Sequence, residues 1–294
     1  MANFISLSEV TCKFGDLECP FPAPGAGIFE WKPLASFNLF GFTSIEVTKP
    51  VILAMLCTVI VSVVFIAAFA KPKLVPTGLQ NVVEVGYLFV RDNIAREIMG
   101  KDGDRFVPLL TSLFFLVWSM NVMAIIPGAQ FPVSSRFAFP VVLALIVWVV
   151  YMYLGMKNQG VIGYFKNIAF PPGMPIGIYP LLTPIELLST LIIRPVTLAI
   201  RLFANMFAGH LLITVFTVSA WYLLNLTNFV GFVSVIGYLG SVVSFIVTIV
   251  LTGFEMFIQA LQAFIFTLLT AVFYFQLVAR GALKKEFLQQ IVVG

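Results

Sequence analysis

Arg194, Arg201, Asn205 and His210 fall within a single apolar stretch, and Glu186 precedes Arg194 by about two turns of helix. Arg201 lies deepest, with no acid nearer in sequence than Glu186. A guanidinium keeps its proton in a protein. Holding one at membrane depth costs roughly 2.5–3.5 kcal/mol on insertion scales, so intramembrane charges usually line a working pathway. The chemistry these residues point to is the movement of charge.

Their spacing supports that reading. Arg194 and Arg201 are seven apart and Asn205 follows four later, which puts all three on one side of a helix. His210 stands roughly 13–14 Å beyond Arg201 along the axis, and Glu186 about 22 Å before it. The last apolar stretch carries a second stripe, Thr248, Thr252, Glu255, Gln259 and Gln262, at alternating spacings of four and three. His210 and Glu255 both fall in the outer half of their helices. Two protonatable groups of opposite charge type at similar depth suggest a wet cleft able to pass protons. Other readings stay open. A lone membrane His also serves as a packing residue, Glu255 could neutralise Arg201, and the Gln/Thr stripe could simply join helices. Arg194, beside Pro195, reads as a side chain snorkelling toward the inner surface.

Other chemistries find no support in the residues. One His and scattered acids make no metal-ligand cluster. There is no phosphate-binding or dinucleotide fingerprint, and no cofactor is expected. No Ser or Cys is placed beside a base for nucleophilic catalysis, and nothing points to nucleic acid. The chain reads as a conduit and not an enzyme.

The positioning elements follow from composition. Of 294 residues, 60% are hydrophobic and 10% charged, and mean hydropathy is +1.04. Soluble domains carry about 25% charged residues, so this is an all-α polytopic membrane protein in contact with lipid. Residues 1–46 form a polar extension and 47–294 the membrane domain, with no early apolar leader. Spans are expected at about 47–70, 106–126 and 139–156. Between the first two, Leu79, Val82, Val83, Gly86, Tyr87 and Val90 keep helical spacing and predict an interfacial amphipathic helix. Residues 157–178 read as a Gly/Pro-rich connection. The stretches 180–226 and 230–279 are too long for simple spans: about 45 helical residues cover some 68 Å, against a hydrocarbon layer of about 30 Å. Each is two short spans or one tilted, bent helix. Five crossings or seven leave the termini on opposite sides. Eleven Lys/Arg on the first and third connections and the C-terminal tail, against four on the N-terminal segment and second connection, place the N-terminus outside and the C-terminus inside. Cys12 and Cys19 could pair in an oxidising compartment or remain free thiols; Cys57 lies within the first span.

Arg194-Pro-Val-Thr-Leu-Ala-Ile-Arg201-Leu-Phe-Ala-Asn205-Met-Phe-Ala-Gly-His210 resembles the signature of subunit a of the F-type ATP synthase membrane sector. Leu261-Gln262-Ala-Phe-Ile-Phe266 agrees, with weaker support from residues 74–84 and 120–127. The resemblance covers about 70–280. It implies about five membrane helices including two long tilted C-terminal ones. The implied partners are a c-subunit ring, peripheral-stalk b subunits and the rest of the synthase. By the same resemblance, Arg201 is the stator cation with Asn205 and Gln262 near it. His210 and Glu255 are an inlet half-channel pair, and Glu186 is the outlet acid. Thr248, Thr252, Gln259 and Arg194 are secondary lining. Ala124 departs from members that place an acid there. The membrane implied is a bacterial plasma membrane or a mitochondrial inner membrane, and the ion is H⁺ in preference to Na⁺.

Overall fold

The computed structural model describes residue 21 and residues 24–29, 35–39, 43–126, 128–169, 179–225 and 232–293. Cys12 and Cys19 lie outside them. Among the described residues, five helices are long and apolar enough to cross a membrane. The first, α1 (Lys49–Phe69), is apolar around its whole circumference. Ile52, Met55, Val59, Val63 and Ile66 are exposed on it, as expected of a surface that meets hydrocarbon. It stops just before Lys71-Pro72, where proline disfavours helical backbone in the preceding residue.

An amphipathic segment follows as expected: α2 (Leu79–Val90), a π-helical turn (Arg91–Arg96) and the short α3 (Glu97–Met99). Val83, Val90, Ile94 and Ala95 turn inward, while Leu79, Val82, Val85 and Phe89 stay exposed. Arg96 grips Asp104 with two hydrogen bonds of 2.8 Å, closing the loop that leads to α4 (Val107–Val122). Arg91 beside Asp92 holds that carboxyl below the ordinary carboxylate range, mainly by hydrogen bonding. The support it gives is therefore complete at neutral pH and is lost only under strongly acid conditions.

Gly103 in that loop has no room for a side chain, because an added Cβ would sit 2.7 Å from the Ala95 carbonyl oxygen. Backbone cannot swing aside as a side chain can. Gly103→Ala should therefore destabilise the segment by about 1–3 kcal/mol, read as a lower thermal unfolding midpoint in detergent.

Next come α5 (Ala138–Gln159) and α6 (Val161–Ala169), the latter lying inside the stretch read from the sequence as a connection. The two join at Gly160, whose φ of 75° and N–H bond of 2.8 Å to the Met156 carbonyl make a left-handed helix stop. The two long apolar stretches are each continuously helical. The first is α7 (Tyr179–Leu188), a π-helical turn (Ser189–Ile193) and α8 (Arg194–Asn225). The second is α9 (Phe232–Val293), whose 62 residues extend about 93 Å. The alternative of paired short spans is thereby excluded. The π turn has a local cause. Pro195 lacks an N–H and crowds the carbonyl four residues back, so the ladder widens there.

The polar extension contains more than the sequence reading found. A 3₁₀ turn covers Ala26–Phe29, and strands β1 (Ala35–Leu39) and β2 (Thr43–Val47) pair antiparallel with Ala35 opposite Val47. The main body remains helical.

The chain divides into two compact units. One comprises 1–57, 120–136 and 204–261; the other 58–119, 137–203 and 262–294. The core of the second gathers Val90, Ile94, Phe106, Leu110, Tyr151 and Tyr164 around Ala271 and Tyr274.

Candidate functional site

The deepest cation stands unengaged among the described residues. Arg201 is exposed on α8 and makes no ion pair or hydrogen bond among the described residues. Its exposed neighbours along the helix are Ile193, Thr197, Ile200, Ala204, Ala208 and Leu212, spaced three or four apart. This outward stripe is apolar or small apart from the guanidinium. An apolar face around a charge lets another helix approach closely, and small residues permit the shortest distances.

Arg194 behaves differently from Arg201, since it is half-buried and has partners within its own unit. Its Nη2 lies 3.8 Å from Glu186 Oε1, with the two side chains 19% and 24% exposed. Its Nη1 donates to the Tyr151 hydroxyl at 3.4 Å, and its Cζ stands 5.5 Å from the Phe273 ring centre. The π turn places Arg194 within reach of Glu186 eight residues earlier. Arg194 borders a small pocket lined by Trp148, Tyr151, Thr190, Leu198 and Phe273. Buried there without partners among the described residues are the Trp148 Nε1 and Thr190 Oγ1 atoms. Gln262, on the α9 segment of this unit, is 3% exposed.

The first unit contains the acid and imidazole. On α9, Ser241 donates to the Ala220 carbonyl of α8 at 2.8 Å. Thr248 and Thr252 return their hydroxyls to carbonyls four residues back, at 2.9 and 2.8 Å. This leaves the lower stripe to larger groups. Glu255 is 4% exposed and Gln259 is fully buried, and Glu255 Oε1 and both amide atoms of Gln259 lack partners among the described residues. Glu255 and Gln259 nevertheless interact with each other, so the acid and the amide form one buried polar cluster. Along the stripe read from the sequence, Glu255 and Gln259 are buried within the protein, whereas Thr248 and Thr252 are half-buried.

The α8 partner of Glu255 is Gly209. A Cβ built at that glycine would lie 3.5 Å from Glu255 Oε1, so the acid packs on the residue adjoining His210. His210 and Asn205 are both half-buried on the same helix. The imidazole has aromatic company as well: the Phe29 ring centre lies 5.9 Å away, edge to face. Sequence reasoning missed Phe29, because nothing in residues 26–29 signals a partner 180 positions later. It also passed over Asn121, which is fully buried with neither amide atom partnered among the described residues. A single Asn near the end of an apolar span was the available signal. Among the described residues, no group of three His, Cys, Asp or Glu could hold a metal ion.

Comparison with known proteins fits this arrangement. The family model described as ATP synthase A chain matches residues 51–275. A Streptomyces lividans protein named ATP synthase subunit a is 47% identical over 266 residues, 90% of each chain. A protein of the same name from Frankia alni is 47% identical over 242 residues, covering 82% of this chain and 81% of that one. A third, from Rhodococcus erythropolis, is 41% identical over 230 residues, covering 78% and 81%. The match takes in α8 and the α9 segment that carry the cation, the imidazole and the buried acid, and the chain belongs to the ATP synthase A chain family.

Proposed function

We propose that the chain is the membrane stator of a bacterial F-type ATP synthase, guiding protons through two half-channels to and from carboxylates on a rotating c-subunit ring. The observation that carries this reading is Arg201: an exposed guanidinium on a lipid-depth helix, without an ion pair among the described residues. Such a charge is tolerable when its counter-ion comes from another polypeptide. A ring carboxylate 4 Å away would attract it by about 4 kcal/mol at an effective dielectric near 20. That attraction favours the deprotonated carboxylate and strips its proton before it passes. The same positive charge repels protons that would otherwise slip directly between the half-channels.

His210 and Glu255, with Asn205, Gln259, Thr248 and Thr252, form the inlet half-channel. Burial of Glu255 against Gly209 keeps it out of bulk water and beside the imidazole's helix turn. Glu186 and Arg194 form the outlet, with Gln262 near the ring face. The N-terminus lies outside and the C-terminus inside, consistent with the Lys/Arg bias. Peripheral-stalk b subunits would then hold the chain against rotation. The bacterial relatives favour a plasma membrane location.

Reconstituted complexes test the division of labour between the two arginines. Arg194 shares its load with Tyr151 and Phe273, and a partly exposed ion pair contributes about 1 kcal/mol or less. Arg194→Gln should therefore slow ATP-driven proton pumping less than about fivefold. A loss as complete as that from substituting Arg201 would contradict this division of labour between the two arginines. ATP-driven pumping that survives in Arg201→Ala would remove the stator reading itself.

A further inference from the structure

The described part of the N-terminal segment, which the family match does not cover, reaches the imidazole. Phe29, at the end of the 3₁₀ turn Ala26–Phe29, is 5% exposed. Its ring centre lies 4.5 Å from that of Phe207, 6.1 Å from Phe131 and 5.9 Å from His210, the last at an interplanar angle of 63°. Further out along α8, Phe21 meets Tyr222 edge-on at 5.4 Å. The segment therefore touches α8 at two places four turns apart. Phe207 and His210 are three residues apart and so share a helix side, with Phe29 covering both.

We propose that Phe29 is a positioning residue for His210: it covers one face of the imidazole, fixes the ring's orientation and excludes water from that side. Three features converge on this role. The contact is aromatic on aromatic in the edge-to-face geometry that the ring quadrupoles favour. Phe131, 2% exposed, backs Phe29 from the loop after α4. The described residues 21 and 24–29 are Phe, Pro, Gly, Ala, Gly, Ile and Phe, so none offers a titratable side chain in competition. Among the described residues, few groups are placed to exchange protons with His210. From α9 that group is Glu255, which packs on Gly209. The 123–136 connection carries only Arg136, and α8 itself carries Arg194, Arg201 and Tyr222. The proposal rests on His210 being a proton-carrying residue, but its geometry can be tested without that assumption.

His210 is the chain's single histidine, so its modification is read without ambiguity. The intact synthase in lipid nanodiscs is treated with diethyl pyrocarbonate, and carbethoxylation of His210 is followed over time by mass spectrometry. Phe29→Ala should raise the rate about tenfold, the rate equivalent of one lost aromatic contact. Phe29→Leu, which keeps bulk without the ring, guards against misfolding and should give a smaller rise. Phe29→Trp and Phe21→Ala should leave the rate near that of the unsubstituted protein. Equal rates in all four variants would overturn the proposal. So would an equal acceleration in Phe29→Trp and Phe29→Ala, which would mean general loosening. Unaltered proton pumping by His210→Gln would count against the inlet reading instead, leaving the modification result intact.

Discussion

Arg201→Lys is expected to abolish ATP-driven proton pumping, lowering its rate by roughly 10²–10³-fold, the loss typical when one preorganised electrostatic group is removed. The substitution keeps a positive charge and most of the side-chain length, so the effect isolates what guanidinium adds. Arg201 projects from an apolar stripe with no acid of its own chain among the described residues to hold it. A lysine in the same place can shed its proton when desolvated, and it offers no planar fork for a carboxylate. Either defect ends the separation of the two half-channels. The measurement is acidification of proteoliposomes by the reconstituted synthase, normalised to ATP hydrolysis. Pumping within about threefold of the unsubstituted protein, well short of the tenfold that corresponds to about 1.4 kcal/mol, would show that any local positive charge suffices.

The second large effect belongs to Glu255. Glu255→Gln preserves volume and hydrogen-bonding atoms but cannot ionise, and it is expected to slow pumping by roughly 10²-fold, the lower range for removing a proton-transfer group. Glu255 is nearly fully buried, and its Oε1 lacks a partner among the described residues. A merely structural carboxyl in that position would be stabilised by conversion to an amide. The two accounts therefore predict opposite outcomes. A relay role predicts an assembled complex with lost pumping, whereas a packing role predicts an assembled complex with normal pumping. Gly209→Ala is a useful companion, since its added methyl would make ordinary contact with Glu255 Oε1 at 3.5 Å. It should assemble normally.

Much of this arrangement was legible in the residues. Apolar runs and prolines fixed the crossings, because length and hydropathy are the properties a bilayer selects. α1 begins at Lys49 and ends at Phe69 against an expected 47–70. The periodicity of Thr248, Thr252, Glu255, Gln259 and Gln262 marked a true helix side. What periodicity could not tell was whether that side met water, lipid or protein, and burial settles it for Glu255 and Gln259. The Arg194–Glu186 pair was not foreseen, because a 3.6-residue period gives no hint of the π turn at Ser189–Ile193. That turn brings Glu186 within 3.8 Å of Arg194. Phe29 was equally silent. Contacts between residues 29 and 210 are decided by tertiary packing, and a phenylalanine among 31 carries no distinguishing mark.

The central claim is that the stripe around Arg201 meets a partner's carboxylate-bearing helix. Ala204 is exposed on that stripe, three residues from the cation, and can be replaced while leaving the cation in place. With Ala204→Cys in this chain and a cysteine one turn from the ring carboxylate, oxidation of the native membranes should form a disulfide between the two subunits. Turnover with ATP before oxidation should spread the bond over successive ring subunits. If Ala204→Cys instead stays reactive toward lipid-soluble thiol reagents in the assembled synthase and never joins a ring subunit, the guanidinium faces lipid and the account fails.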